Sequence, residues 1–184
     1  MRSDQQKTSS DKLKRIELFD WFKVIIFAVA IAFFTTQFIF SATSVDGTSM
    51  ENTLHDEDRL FVWKLGTSGQ SLKRGDIIVF HAPDNPEVDY IKRVVAFPHE
   101  YVQIEDGLVY INGKRLDEPY INTAYTHTID ASEWYIDENE LFVLGDNRVE
   151  GASRDSRTFG PIQMDSIVGC AFFRFYPWSN MGGL

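Results

Sequence analysis

Residues 101–114 read YVQIEDGLVYINGK, and this stretch decides the fold class. It holds two short apolar or alternating runs, Tyr101–Glu105 and Leu108–Ile111, the first followed by Asp106-Gly107 and the second by Asn112-Gly113. Such dipeptides tolerate the positive φ angles of a two-residue hairpin turn, and short alternating runs are typical of half-buried strands. The stretch therefore predicts three antiparallel strands in a meander.

The same pattern continues on both sides of the meander. Short apolar runs bounded by turn residues are Arg59–Lys64, Asp76–Phe80, Tyr90–Phe97, Leu141–Leu144 and Ile167–Phe175. No segment after residue 41 keeps a helical period of apolar residues for more than about two turns, which argues against packed helices or a βαβ crossover. Residues 66–75 and 82–89 are polar and rich in turn residues, so we predict loops there. The fold is therefore predicted to be mainly β, with an antiparallel sheet body.

One long apolar segment precedes this body. Residues Val24–Phe40 carry no charge, and with Trp21 and Phe22 they can cross a hydrocarbon core of ~30 Å. We predict an N-terminal transmembrane helix over residues 21–41. A cleavable signal peptide is the alternative, but its apolar region usually spans about 7–15 residues. A soluble helix apolar on every face would need protein on every side of it.

The charge of the chain changes sign around this segment. The first 23 residues carry six basic and four acidic groups. The whole chain has 18 basic and 27 acidic groups, so 12 basic and 23 acidic groups remain after residue 23, a net charge of −11. Such an acidic body repels phosphate backbones, so no nucleic acid is expected as a partner. Basic residues that flank a membrane span usually stay on the cytoplasmic side, and here they precede the span. We therefore predict a single-pass membrane protein with a cytoplasmic tail over 1–20, the anchor over 21–41 and an extracytoplasmic β-rich domain over 42–184.

Cysteine and histidine offer little chemistry in this sequence. The single cysteine, Cys170, cannot form an intrachain disulfide, and no Cys/His cluster has metal-ligand spacing. The four histidines are scattered and suggest no Ser-His-Asp triad. Neither a metal nor a cofactor is therefore expected.

A lysine interrupts one of the apolar runs. Lys92 and Arg93 are neighbours in the strand predicted over Tyr90–Phe97, so they lie on opposite faces and one of them points inward or into a cleft. Burial disfavours the charged ammonium and lowers a lysine pKa, which yields the neutral amine that a general base requires. The alternative for Lys92 taken alone is an edge-strand lysine that discourages aggregation.

Four segments together resemble the type I signal peptidases, a family of membrane-bound serine proteases with a Ser-Lys dyad. They are Gly47–Leu54 (GTSMENTL), Lys73–Phe80 (KRGDIIVF), Tyr90–Pro98 (YIKRVVAFP) and Gly145–Arg157 (GDNRVEGASRDSR). The resemblance implies that Ser49 is the nucleophile and that Lys92 is its general base. Gly47 permits a tight backbone path that could direct the backbone amide of Ser49 towards a developing oxyanion.

The resemblance also assigns supporting roles. It implies that Ser153 hydrogen-bonds and orients Lys92, and that two ion pairs brace the site. These pairs are Asp155 with Arg157, and Asp146 with Arg93. Two departures from the family pattern stand nearby: Val149–Ala152 makes the connection to Ser153 two residues longer than usual, and Asn52 replaces the usual proline.

The implied function is removal of signal peptides from secreted preproteins through an acyl-enzyme, without a cofactor. Its partners would be signal-peptide-bearing preproteins and the lipid bilayer. One alternative is a catalytically silent relative that binds signal peptides or other membrane proteins. Another is the related group of self-cleaving repressors, but these need a DNA-binding domain, and the residues before the body are occupied by a tail and an anchor.

Overall fold

The computed structural model describes residues 19–35, 38–64, 72–128 and 131–184. The chain divides into two units, Met1–Ile39 and Phe40–Leu184. Most of the predicted tail and residues 66–71 of one predicted loop lie outside the described residues. Residues 36 and 37 of the predicted anchor also lie outside them.

The first unit contains a helix, α1, over residues 19–35, and its side chains are exposed along nearly all of its length. Within the described ranges, no helix is long and apolar enough to cross a membrane. The end of the predicted anchor differs from the structure, because Phe40 and Ser41 lie in the first strand of the second unit. Apolar residues at that point suit a strand as well as a helix, so the sequence pattern could not place the boundary.

The second unit is built of two antiparallel sheets, which confirms the predicted mainly β fold. The larger sheet contains β1 (Phe40–Ser44), β2 (Arg59–Trp63), β3 (Ile77–Ala82), β4 (Asn85–Ala96), β9 (Glu140–Leu144), β10 (Ile162–Gln163), β11 (Ile167–Tyr176) and β12 (Gly182–Gly183). Its order is β1-β2-β11-β3-β4-β9-β10, with β12 paired to β11. The smaller sheet contains β5 (Tyr101–Glu105), β6 (Leu108–Ile111), β7 (Lys114–Arg115) and β8 (Glu133–Tyr135), in the order β7-β6-β5-β8. A short helix, α2, spans Ser156–Phe159, and 3-10 turns span Met164–Ser166 and Trp178–Asn180.

The predicted meander is confirmed as β5, β6 and β7. Both connecting dipeptides have positive φ angles, 50° and 76° at Asp106 and Gly107, and 53° and 75° at Asn112 and Gly113. These angles fit the two-residue turns that Asp-Gly and Asn-Gly favour, because both central residues of such a turn need φ above zero.

The predicted loop over residues 82–89 is wrong. β3 continues to Ala82, Pro83-Asp84 form the turn, and β4 begins at Asn85. Residues 83–89 are all exposed, so this end of the hairpin is solvated on both faces. A strand solvated on both faces lacks the alternation from which strands are predicted, which explains the error.

The larger sheet is buried on both faces of its central strands. One cluster of buried apolar residues comprises Val45, Met50, Leu54, Leu60, Val62, Ile77, Val79 and Ala171, and another comprises Leu72, Ile78, Phe80, Val94, Leu141, Val143 and Ile162. Met50 and Leu54 belong to the connection between β1 and β2, residues 45–58, which we call the serine loop. Burial of each such side chain contributes about 1.5–3 kcal/mol, so these two residues fix the loop to the sheet.

Candidate active site

The structure brings the two predicted catalytic side chains into direct contact. Lys92 Nζ lies 2.8 Å from Ser49 Oγ, although the residues are 43 positions apart. Ser49 lies in the serine loop beside the buried Met50, and Lys92 lies in β4, which is paired with β3 on one side and with β9 on the other. Gly47 has a φ of 89°, so the loop takes the tight path that glycine permits.

Lys92 is almost fully enclosed. Its exposure is 3%, and burial lowers its pKa from the usual 10.5 to about 8, against the opposing charges of Asp155 and Asp146. The nearby positive charge of Arg157 lowers the pKa further. Lys92 Nζ also donates a hydrogen bond to the Ile91 carbonyl at 2.8 Å. A neutral amine held in this way can still accept the proton of the Ser49 hydroxyl.

Both residues open onto one cleft of about 280 Å³. Its walls are formed by residues 43–50, from β1 and the serine loop, and by residues 89–92 of β4, with Ala152 and Arg154 also contributing. A hydroxyl and a buried amine at the floor of a cleft can carry out acyl transfer. Across the described ranges, no group of three or more His, Cys, Asp or Glu side chains is placed to hold a metal ion.

Both predicted bracing pairs lie beside this cleft, and the first is Arg93 with Asp146. Arg93 Nε donates to Asp146 Oδ1 at 2.8 Å, and Arg93 Nη2 donates to Asp146 Oδ2 at 2.5 Å. Arg93 is buried, as Lys92 is, and the Asp146 carboxylate compensates the charge of the Arg93 guanidinium. Arg93 Nη2 also donates to Thr53 Oγ1 at 3.1 Å, and the guanidinium lies 4.0 Å from the centre of the Tyr120 ring. This pair therefore joins β4 to the serine loop.

The second pair is Asp155 with Arg157. Arg157 Nε and Nη2 donate to the two carboxylate oxygens of Asp155 at 2.8 and 2.7 Å. Asp155 Oδ2 also accepts a hydrogen bond from the Gly145 backbone N–H at 3.0 Å, and Asp155 caps α2. Burial alone would raise the pKa of Asp155, but the hydrogen bonds and charge of Arg157 hold that pKa below its usual value. The carboxylate therefore stays ionised beside the site.

Ser153 lies next to Ser49 but does not make the predicted contact with Lys92. Its hydroxyl is buried, and it lies close enough to the Asp155 carboxylate to help lower the pKa of that group. Lys92 Nζ donates instead to Ser49 Oγ and to the Ile91 carbonyl. A Cβ at Gly145 would lie 2.3 Å from Ser153 Oγ, so the absence of a side chain at Gly145 allows Ser153 to pack there.

A group of residues that sequence reasoning missed holds these loops together. Arg148 is fully buried, and it donates to Gly145 O at 2.7 Å, to Thr126 Oγ1 at 2.9 Å and to Glu118. Asn122 adds a second set of hydrogen bonds between the same segments, because its Nδ2 donates to Asn147 Oδ1 and its Oδ1 accepts from the Arg148 N–H. The segment 118–126 carries no recognisable motif, so the only available signal was the dense polar sequence around Arg148.

Comparison with known proteins adds an independent finding. A family model described as "Signal peptidase, peptidase S26" matches residues 18–178. The chain is 38% identical over 177 residues to Signal peptidase I of Bacillus licheniformis, covering 91% of this chain and 94% of that protein. It is 36% identical over 191 residues to Signal peptidase I T of Bacillus subtilis, covering 97% of each. Signal peptidase IB of Staphylococcus aureus is 36% identical over 180 residues, covering 89% of this chain and 92% of that protein.

Proposed function

The chain belongs to the signal peptidase family, peptidase S26, and we propose that Ser49 is the nucleophile and Lys92 the general base with which it removes signal peptides from preproteins. The observation that carries this assignment is the 2.8 Å contact between Ser49 Oγ and the buried amine of Lys92. Cleavage of a preprotein by the parent and by Ser49→Ala and Lys92→Ala variants tests it.

The first half of the reaction forms an acyl-enzyme. Neutral Lys92 accepts the proton of the Ser49 hydroxyl as Oγ attacks the carbonyl carbon of the scissile peptide bond. The tetrahedral intermediate then collapses, the C–N bond breaks, and the Lys92 ammonium returns its proton to the departing amine. The signal peptide is left as an ester on Ser49 Oγ, and the mature protein leaves.

The second half of the reaction hydrolyses this ester. Lys92, neutral again, takes a proton from a water molecule, and the resulting hydroxide attacks the ester carbonyl. The C–O bond to Ser49 breaks, Oγ recovers the proton from Lys92, and the signal peptide leaves with a free carboxylate. Each cycle therefore consumes one water molecule and returns both side chains to their initial state.

The pKa of Lys92 decides how much of the enzyme can react. With a pKa of about 8, roughly a tenth of the molecules carry a neutral Lys92 at pH 7. At the usual pKa of 10.5 that fraction would be on the order of 1 in 3,000, about 300-fold smaller. Burial of Lys92 thus makes base catalysis feasible near neutral pH.

The supporting residues act by holding these groups in place. In our proposal Asp146 with Arg93, and Asp155 with Arg157, fix the loops on either side of the dyad. Ser153 is proposed to orient Lys92 once substrate fills the cleft. This role is supported by the burial of Ser153 and by its position beside Gly145, next to the Ser49 carbonyl.

We also propose that the protein is a single-pass membrane protein with a cytoplasmic N-terminus and an extracytoplasmic catalytic unit. The uncharged run Val24–Phe40 and the basic residues before it support this topology. A further support is a patch of exposed aromatic side chains on one sheet, which includes Phe61, Trp63, Phe172 and Tyr176. Exposed aromatic residues of this density suit a lipid interface.

The alternatives from sequence are less well supported. A catalytically silent relative would have no need for a serine hydroxyl in contact with a buried lysine of lowered pKa. Binding of a signal peptide without cleavage by the parent protein would favour that alternative.

A further inference from the structure

Asn147 is tied to the backbone on both sides of Ser49. Its side-chain Nδ2 donates a hydrogen bond to the Thr48 carbonyl at 3.0 Å, and its backbone N–H donates to the Ser49 carbonyl at 3.1 Å. Asn147 is 99 positions from Thr48 in sequence and its exposure is only 8%. These bonds therefore connect the serine loop to the segment that follows β9.

The bond to Thr48 has a consequence for the neighbouring amide. A peptide group is planar and trans, so its carbonyl and its N–H point in opposite directions. The Thr48 carbonyl also accepts a hydrogen bond from the Glu51 N–H at 3.0 Å, so two donors fix it. Fixing this carbonyl fixes the direction of the Ser49 N–H. Among the described residues, none accepts a hydrogen bond from that N–H, which leaves it available to a substrate.

Asn122 and the Val149 backbone fix which way the Asn147 amide faces. Asn122 Nδ2 donates to Asn147 Oδ1 at 2.7 Å and the Val149 N–H donates to the same oxygen at 3.3 Å, so Asn147 Nδ2 is directed to Thr48. Asn122 is itself anchored, because its Oδ1 accepts from the Arg148 N–H at 3.0 Å and its backbone N–H donates to the Asp146 carbonyl at 3.3 Å. The three residues form a chain from Asn122 through Asn147 to the Thr48-Ser49 peptide.

We propose that Asn147 is a positioning residue for the oxyanion site, and that Asn122 acts through Asn147. The inference rests on the proposed function, because it takes Ser49 as the nucleophile whose N–H stabilises the tetrahedral intermediate. The negative oxygen develops only in the transition state, so a misdirected N–H weakens the transition state more than the bound substrate. Loss of Asn147 should therefore lower kcat and leave KM nearly unchanged.

The test measures kcat and KM for the full-length protein in detergent, on a peptide with small residues at the first and third positions before the scissile bond. We expect Asn147→Ala to lower kcat by about 10–100-fold, less than deletion of a whole oxyanion donor. Asn122→Ala should lower it by roughly 3–10-fold, because Asn122 is exposed and water can replace part of its bonding. The double variant should match Asn147→Ala, since the effects of residues on one path do not add. Asn139→Ala, an exposed turn asparagine, is the matched control.

A second readout separates positioning from misfolding. A peptide aldehyde with the same residues forms a hemiacetal with Ser49 and places its oxygen in the oxyanion site. Its inhibition constant should rise in proportion to the loss of kcat/KM in Asn147→Ala. If the variant sample simply held fewer folded molecules, its apparent kcat would fall and its inhibition constant would equal that of the parent.

Three results would overturn the inference: parent-like kcat in Asn147→Ala, an unchanged aldehyde inhibition constant, or additive losses in the double variant. If Asn147→Ala fails to fold, Asn122→Ala still tests the inference. It removes an exposed side chain, and its aldehyde inhibition constant should rise in proportion to its own loss of kcat/KM. Ser49→Ala, run in parallel, tests the proposed function separately. Full cleavage by Ser49→Ala would reject the nucleophile itself, whereas its inactivity beside a parent-like Asn147→Ala would reject only the positioning role.

Discussion

Gly145 and the carbonyl oxygen of Ser49 are so close that a Cβ at Gly145 would lie 2.4 Å from that oxygen. No side chain fits there, and the conflicting atom belongs to the backbone, which cannot move aside cheaply. Because of this close approach, the segment after β9 packs directly against the serine loop. The φ of Gly145 is not in the left-handed region, so a glycine is required at this position for packing and not for its backbone conformation.

Gly145→Ala should displace the serine loop and separate Ser49 from Lys92. A shift of about 1 Å can cost on the order of 100-fold in rate, so we expect kcat/KM to fall at least tenfold. Peptide cleavage and thermal unfolding of the same sample measure the effect. Gly182→Ala is the control, because a Cβ there would meet nothing within 4 Å. Equal activity of the two variants would show that the serine loop tolerates the added methyl group.

Removal of one partner of the buried Arg93–Asp146 pair should destabilise the catalytic unit. Arg93→Ala leaves the fully buried Asp146 carboxylate without its cation, and such losses cost about 3–5 kcal/mol. Replacing both residues, as in Arg93→Met with Asp146→Leu, should cost less than Arg93→Ala, because no uncompensated charge remains. Urea denaturation of the three proteins measures these differences. A double variant less stable than the single one would contradict the electrostatic explanation.

Ser49→Ala and Lys92→Ala should each abolish preprotein cleavage and leave the fold intact. Lys92→Arg should be equally inactive, because a guanidinium keeps its proton and cannot act as a base. The control is Lys114→Ala, which removes an exposed lysine of β7. Gel analysis of a preprotein, with circular dichroism of each variant, provides the measurement. Near-normal cleavage by Lys92→Arg would exclude Lys92 as the base.

The proposed topology predicts which part of the chain a protease can reach. In intact spheroplasts that contain the protein, external protease should digest the part after residue 42 and spare an epitope tag fused to Met1. Lysis should then allow the protease to digest the tag, which shows that the tag itself is not resistant to the protease. Digestion of the tag before lysis, with a protected catalytic unit, would reverse the orientation.

The sequence was informative wherever a local pattern determined the structure. The meander followed from Asp106-Gly107 and Asn112-Gly113, whose backbone preferences act within two residues. Lys92 stood out as a lysine within an apolar strand, but its role as a base came from the family resemblance, because an edge-strand lysine explains the local pattern as well. The hairpin end at residues 83–89 was missed because both of its faces are exposed and the alternation disappears.

Contacts between distant segments were beyond the sequence pattern. Asn122 and Asn147 are 25 positions apart, and nothing in the polar segment around Asn122 marks it as a partner. The bracing pairs were predicted only because the family resemblance supplied them. The orientation of the Ser153 hydroxyl also depends on packing against Gly145, which no local rule describes.

Ser153→Ala should loosen Lys92 without removing it, so its pH profile should keep the shape of the parent profile at a lower level. If Ser153→Ala matches the parent at every pH, the orienting role is removed and the dyad is unaffected.

The most direct measurement is the dependence of kcat/KM on pH for the parent protein, on a peptide with small residues before the scissile bond. In the proposed mechanism Lys92 acts only when neutral, so activity should rise as pH increases through its pKa of about 8 and level off above it. A carboxylate base would ordinarily give a rising limb near pH 4. A limb centred near pH 8 is the predicted result, and a profile already flat by about pH 5 would show that Lys92 is not the base.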